Sequence, residues 1–329
     1  MVVSESIVGD LDVLDTLELF QSTIYAAEAL GISQSSCSRR YRSFSQLFDF
    51  GFDRVDGVYR ATRNFDMLAA LRQATQKRRV RQGRFRYGIG WQMEGLMDGF
   101  VEGPLASQGQ DLAGDRFAVH TMDSWRVLNL LENRLIDYWI GGLLDYGSLL
   151  EQPMQRLRFE RLHVTDAVMA VPLCRFDLQL VSHQAHPLHA QKVITADQVA
   201  PYPSPALDVG MAPMLMGQLH ARSLATTPSG LKDHTFGCWQ AAAADGISLS
   251  YSPPHDLARL QACGIETLPY DLGITEVRAV LGHRDAIEDG CFHTHLKAMA
   301  ALFRKSEAAA HGGLHWLCLV WPRSIQFKI

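Results

Sequence analysis

A chain of 329 residues exceeds one average domain, and an apolar content of 47% supplies sizeable cores while excluding general disorder. The net charge of −4 gives no overall pull toward nucleic acid, yet thirteen Lys or Arg stand against four Asp between positions 39 and 86, so that stretch alone carries +9. The chain opens without a basic leader, no stretch approaches the roughly 18 uninterrupted apolar residues of a membrane span, and the six cysteines show no repeated spacing; a reduced, cytoplasmic protein without membrane contact is expected.

The spacing of Val13, Leu14, Leu17 and Phe20 predicts a first helix. A second is expected over 24–30, with Thr23 as its cap and Gly31 as its stop. Ser33 reads as the N-cap of a third helix, whose Cys37, Tyr41 and Phe44 fall on one buried stripe. That stripe leaves Gln34, Ser35, Ser38, Arg39 and Arg42 facing outward, short polar and guanidinium groups suited to base edges and phosphates. Asp56-Gly57 is a turn signal between expected strands at 47–52 and 58–62, a small wing carrying Arg54 and Arg60. A helix over 63–81 places Phe65, Leu68, Leu71 and Ala74 on one side and ends in the basic run Lys77, Arg78, Arg79, Arg81; its apolar side calls for a partner copy.

Beyond Arg84 the texture changes to strands alternating with helices, the pattern of an α/β domain with a largely parallel sheet. Strands are expected at 85–89, 117–121, 168–171, 178–182, 247–251 and 276–281, and helices at 124–139, 212–221, 254–262 and 293–310. The apolar tail 312–329 reads as an added strand, an interface or an aberrant end.

The run Tyr25-Ala26-Ala27-Glu28-Ala29-Leu30-Gly31-Ile32-Ser33-Gln34-Ser35-Ser36-Cys37-Ser38-Arg39-Arg40 resembles the second and recognition helices of the LysR-type bacterial regulators. Val171-Pro172-Leu173, Leu178-Gln179-Leu180-Val181-Ser182 and His186-Pro187-Leu188 are similar, independently, to that family's strand into its second effector subdomain and its His-Pro-Leu signature. The resemblance implies a winged helix-turn-helix DNA-binding domain at 1–62 and a linker and dimerisation helix at 63–83. An effector domain follows at 84–329, built of two α/β lobes like periplasmic binding proteins, lobe I from 84–175 and 254–329 and lobe II from 176–253. It also implies a regulator that binds double-stranded DNA, answers to a small-molecule effector of unknown identity, and self-associates as a dimer or tetramer.

The DNA-contacting set is then Ser33, Gln34, Ser35, Ser36, Ser38, Arg39, Arg40, Arg42 and Arg54, with Arg40 the member expected to bond within the protein. An effector held in a cleft between lobes, by loops and helix starts at the carboxyl ends of strands, points to Gly90, Trp91 and Gln92 and to Thr121, Met122, Asp123 and Ser124. From the other lobe it points to Ser182, His183, Phe236, Trp239 and Tyr251, although each aromatic also reads as core. No catalytic residue, metal site or cofactor is expected: His293, His295 and Cys291 lack the spacing of a metal motif, and no nucleophile elbow or phosphate loop occurs. The alternative is a small-molecule-binding module that has lost DNA binding, since residues 1–62 hold nine acidic residues against five arginines.

Overall fold

The computed structural model describes residues 2–90, 93, 115–118, 124–149, 161–207, 210–228, 236–305 and 314–316. Three helices, α1 (Val2–Phe20), α2 (Thr23–Ala29) and α3 (Gln34–Leu47), close around Leu14, Leu17, Ala26, Cys37, Tyr41 and Phe44. Thr23, expected as the cap of α2, is its first residue. The cap is Ser22, whose hydroxyl accepts from the Tyr25 amide at 3.4 Å.

The wing is shorter and later than expected, with β1 (Asp53–Val55) antiparallel to β2 (Val58–Arg60). Phe50 and Phe52, expected in its first strand, are core residues, because the run from Phe44 to Phe52 stacks as an aromatic cluster behind α3. Asp56 and Gly57 both have positive φ, 54° and 84°, the backbone of a two-residue hairpin loop whose twist matches the strands it joins.

Helix α4 (Phe65–Arg81) carries the chain onward, and Leu68, Arg72, Gln76 and Val80, four apart, form its buried stripe. Of the side expected to be apolar, Leu68 is buried, whereas Phe65 is 61% exposed and Ala74 is exposed. The stripe is partly ionic. Arg72 donates from Nε to Asp15 at 2.8 Å and from Nη2 to Glu18 at 2.6 Å. Arg86, in the first strand of the following domain, reaches Asp12 at 2.6 Å and Asp15 at 3.4 Å. Asp137 receives Arg79 at 2.8 Å and the Arg86 amide at 2.8 Å, and Arg134 joins Gln76 to Asp285. The small domain is therefore fastened to its own larger domain through a run of buried and partly buried ion pairs.

The larger domain is built on one eight-stranded sheet. In its first half, β3 (Arg86–Ile89) lies between parallel neighbours β4 (Asp115–Ala118) and β5 (Tyr138–Gly142). The helix expected over 124–139 stops early as α5 (Ser124–Glu132), because Arg134 turns the chain with φ of 59° and Tyr138 and Trp139 continue as β5. The short β6 (Leu162–His163) leads into the long β7 (Val168–His183), which crosses into the second half. There α6 (Ala196–Val199), β8 (Pro205–Ala206), α7 (Pro213–His220), β9 (Thr227–Pro228), α8 (Phe236–Ala243), β10 (Ser250–Ser252) and α9 (Leu257–Gln261) surround a separate core that includes Leu180, Leu215, Leu219, Trp239 and Tyr251.

Strand β11 (Ile265–His283) returns antiparallel to β7 along nearly its whole length. Leu268, Leu272 and Ile274 still pack in the second core, so the chain re-enters the first lobe at about Glu276, later than residue 254. After α10 (Arg284–Ile287), helix α11 (Gly290–Lys305) covers one sheet face through Phe292, Leu296 and Met299, while α5 and the end of α1 cover the other. From the apolar tail, β12 (His315–Trp316) is an added strand on β7, and 317–329 lie outside the described residues. Among the described residues no helix is long and apolar enough to cross a membrane.

Candidate functional site

The first candidate surface is the exposed side of α3. Ser33 caps the helix by accepting from the Ser36 amide at 3.2 Å, and its hydroxyl also meets those of Ser35 at 3.0 Å and Ser36 at 2.9 Å. With Cys37, Tyr41 and Phe44 turned inward, Gln34, Ser35, Arg39 and Arg42 are exposed and Ser38 is half-buried on the opposite side. Gln34 donates to the Thr23 hydroxyl at 3.0 Å, which registers the start of α3 against the start of α2 and leaves its amide oxygen as an acceptor. The Arg42 guanidinium lies 5.6 Å from the centroid of the Tyr41 ring, with its Nε donating to the Tyr41 hydroxyl at 3.2 Å. Arg40, expected to bond within the protein, has its Nε on Asp10 at 2.6 Å.

Two residues that periodicity does not reveal hold the wing beside α3. The buried Ser45 hydroxyl accepts from the Phe52 amide at 2.8 Å, and Gln21, at positive φ between α1 and α2, donates to the Tyr59 carbonyl at 3.1 Å. Arg54 is exposed on β1 with its Nε on the Gly57 carbonyl at 3.0 Å, and Arg60 meets Asp56 in an exposed pair at 3.2 Å. Arginines at the wing tip are thus steadied by local contacts, with N–H groups remaining for solvent or phosphate.

The second candidate site is the junction between the lobes, where β7 and β11 cross. Of the residues expected there, Trp91, Gln92, Thr121, Met122 and Asp123 lie outside the described residues. Gly90 is buried at the carboxyl end of β3, and a Cβ there would meet the Trp139 indole at 2.8 Å. Ser124 opens α5 and bridges the lobes, its amide on the Gly210 carbonyl at 3.4 Å and its hydroxyl on Asp145 at 3.1 Å.

The other expectations are corrected. Ser182 and His183 pair with Glu266 and Ile265 at the far end of β7, seven residues or about 20 Å of strand beyond the crossing near Phe176. Ser182 bonds there to His189 at 3.0 Å. Phe236 packs with the cluster of Val181, Leu260 and Ile265 at that same remote end, under the Arg259 guanidinium. Trp239 and Tyr251 are second-lobe core, 5.2 Å apart edge to face, with the Tyr251 hydroxyl on the Pro205 carbonyl. One long strand crossing both lobes puts its end, unlike its middle, far from the cleft.

The junction itself is polar in a way only its charges could have announced. Glu276 and Arg278, two apart on β11 and so on one face, are 3% and 1% exposed, and a Cβ on Gly142 would meet both side chains. Glu276 accepts from the amides of Leu144 at 3.2 Å and Val277 at 3.0 Å, and burial pushes its carboxyl up against the opposing pull of Arg278. Asp145 accepts from the Met214 amide at 2.8 Å at the start of α7 in the other lobe, and burial raises its carboxyl too. The sequence signal was a charged pair in the expected strand 276–281, whose other residues are apolar. Among the described residues, no group of His, Cys, Asp or Glu is placed to hold a metal ion.

No family model matches the sequence, and no curated protein matches it. Among solved structures, a full-length OxyR variant of Pseudomonas aeruginosa is similar at 15% identity and a TM-score of 0.58, covering 92% of this chain and 96% of that one. An OxyR mutant of Corynebacterium glutamicum with bound H2O2 is similar at 14% identity and a TM-score of 0.51, covering 92% and 93%. At such identities the likeness establishes the fold, a winged helix-turn-helix followed by two α/β lobes, over 92% of the chain.

Proposed function

We propose that this chain is a DNA-binding transcriptional regulator of the LysR type, cytoplasmic, acting as a dimer or tetramer and controlled by a small molecule held between its two lobes. The observation that carries the reading is the outward side of α3, where Gln34, Ser35, Arg39 and Arg42 stand exposed opposite a fully buried stripe. An α-helix with one such polar side fits the major groove, where Arg39, Arg42 and the wing's Arg54 would hold phosphates while Gln34 and Ser35 read base edges. Two copies joined through α4 would present two such helices to a two-fold symmetric site. The effector's polar groups would meet Ser124, Asp145, Glu276 and Arg278 at the junction, a cluster of buried ionisable groups between lobes.

Fluorescence anisotropy on duplexes selected from genomic DNA tests the reading. The Arg39→Ala, Arg42→Ala double variant should bind specific and scrambled duplexes more weakly, with a salt slope lower by about one for each phosphate contact removed. Unchanged affinity with an intact fold would remove this surface as the DNA-binding side and favour a small-molecule-binding module.

A further inference from the structure

Helix α7 begins without a side-chain cap of its own. The residue before it, Ala212, has φ of 43° and no polar side chain, and Pro213 has no N–H, so the first donor that needs an acceptor is the Met214 amide. That acceptor comes from the other lobe. The Asp145 carboxylate takes the Met214 amide on Oδ1 at 2.8 Å and is bonded by the Leu215 amide as well. Its Oδ2 accepts from the Ser124 hydroxyl at 3.1 Å, which ties the start of α5 to the start of α7. A carboxylate at this point also meets the partial positive charge of the helix start.

Asp145 belongs to the helical turn Leu144–Leu149 that follows β5, and its two neighbours divide between the lobes. Leu144 is buried in the second-lobe core with Leu215 and Leu219. Tyr146 is buried in the first-lobe core with Leu128 and Leu131, and its hydroxyl donates to the Ser124 carbonyl at 2.9 Å. The root of the turn is fixed to the crossing strand, with the Leu143 amide on the Val277 carbonyl at 2.8 Å and the Leu144 amide on Glu276. A further bond between the lobes runs from the Ser124 amide to the Gly210 carbonyl. Three consecutive residues thus enter one core, clasp the opposite lobe's helix and enter the other core.

We infer that Asp145 is an interlobe latch: its carboxylate holds α7 against lobe I and keeps the two lobes together without help from a bound molecule. A small molecule that changes the angle between the lobes must then displace this carboxylate from the Met214 amide, and its affinity is reduced by whatever that displacement costs. This regulatory use rests on the effector reading above, whereas the latch itself does not.

Hydrogen exchange followed by mass spectrometry on the full chain, with no small molecule added, tests the latch. In Asp145→Ala the amides of 213–219 should exchange at least about fivefold faster, as expected for loss of a helix cap. Those of 124–128 and 143–147, on the lobe I side of the seam, should also accelerate. Segments 86–89 and 250–252, in the sheet to either side, should keep wild-type protection. The radius of gyration from small-angle scattering should rise at unchanged molecular mass. Asp145→Asn, which keeps the size and one acceptor oxygen, should lie between wild type and Asp145→Ala on both measures. None of these readouts involves DNA or α3, so their failure leaves the regulator reading to the Arg39→Ala, Arg42→Ala test. Unchanged exchange would overturn the latch, and acceleration confined to 213–219 with an unchanged radius of gyration would reduce Asp145 to a helix cap. Equal acceleration in 86–89 and 250–252 would also overturn it, because the whole fold would then have loosened.

Discussion

Replacing Arg72 by methionine keeps most of the aliphatic stem and removes the guanidinium that joins α4 to α1. Arg72 is 3% exposed and Asp15 1%, so no water can take over from the lost N–H groups without the domains parting. Asp15 would retain only Arg86 at 3.4 Å, and Glu18 would lose the 2.6 Å contact that opposes its desolvation. Breaking a buried pair by deleting one partner typically costs about 3–5 kcal/mol, and this loss should appear as a lower urea midpoint in unfolding followed by tryptophan emission. The deficit should also depend on pH. Burial already holds the Glu18 carboxyl above the usual carboxylate range despite Arg72, and the variant raises it further. A folded-state value above the unfolded one means that the folded chain binds the proton more tightly. The contribution of Glu18 is then most favourable below the unfolded value and is lost as pH rises through the folded one, so the deficit should be larger at about pH 8 than at about pH 5. Adding Glu18→Gln to Arg72→Met should recover part of it. A variant within about 0.5 kcal/mol of wild type at both pH values would refute the view that this network fastens the domains.

Gly51 adopts φ of 56° where a Cβ would clash with the Thr62 hydroxyl, so Gly51→Ala should cost about 1–3 kcal/mol in thermal unfolding and loosen the entry to the wing. Arg40→Ala should lower stability through loss of the Asp10 contact yet leave the salt slope of DNA binding unchanged, whereas Arg39→Ala should do the reverse; identical slopes for both would count against the α3 assignment. His295, stacked on Phe85 and bonded to the Tyr138 hydroxyl at 3.0 Å, is pushed down to about 4 by burial. Its contribution is complete above the unfolded value of 6.5 and is lost as pH falls through about 4, so urea midpoints of wild type should drop over that window by more than those of His295→Phe.

Local features of the sequence carried much of this architecture. The Ser33 cap, the buried Cys37, Tyr41 and Phe44, and the Asp56-Gly57 turn each depend on a few neighbouring residues, and each is present in the structure. Features set by distant partners were less legible. Arg72 falls four residues after Leu68 on the same side of α4, but its charge reads as surface, and its burial depends on Asp15 and Glu18 in another helix. Ser182, His183 and Phe236 were expected near a cleft because strand ends usually line one, but the 16 residues of β7 run through both lobes and carry its end past the site. Asp145, in a short helical turn, and Glu276 and Arg278, on β11, escaped notice because charges in separate elements become informative only when the crossing of β7 and β11 is known.

The fastening of α4 has a further consequence for how the protein is made. Gln73 donates to Asp285, 212 positions later, and Arg134 reaches the same carboxylate across 151. The aromatic and aliphatic core around α3 draws only on residues up to Leu71, so it can close soon after that segment leaves the ribosome. One part of its seating against the larger domain, the hold of Asp285 on Gln73 and Arg134, must wait until β11 and Asp285 have emerged. Until then the folded head is held by contacts made earlier in the chain, such as those of Asp12 and Asp15 with Arg86, and truncation before Asp285 would leave the attachment of α4 incomplete.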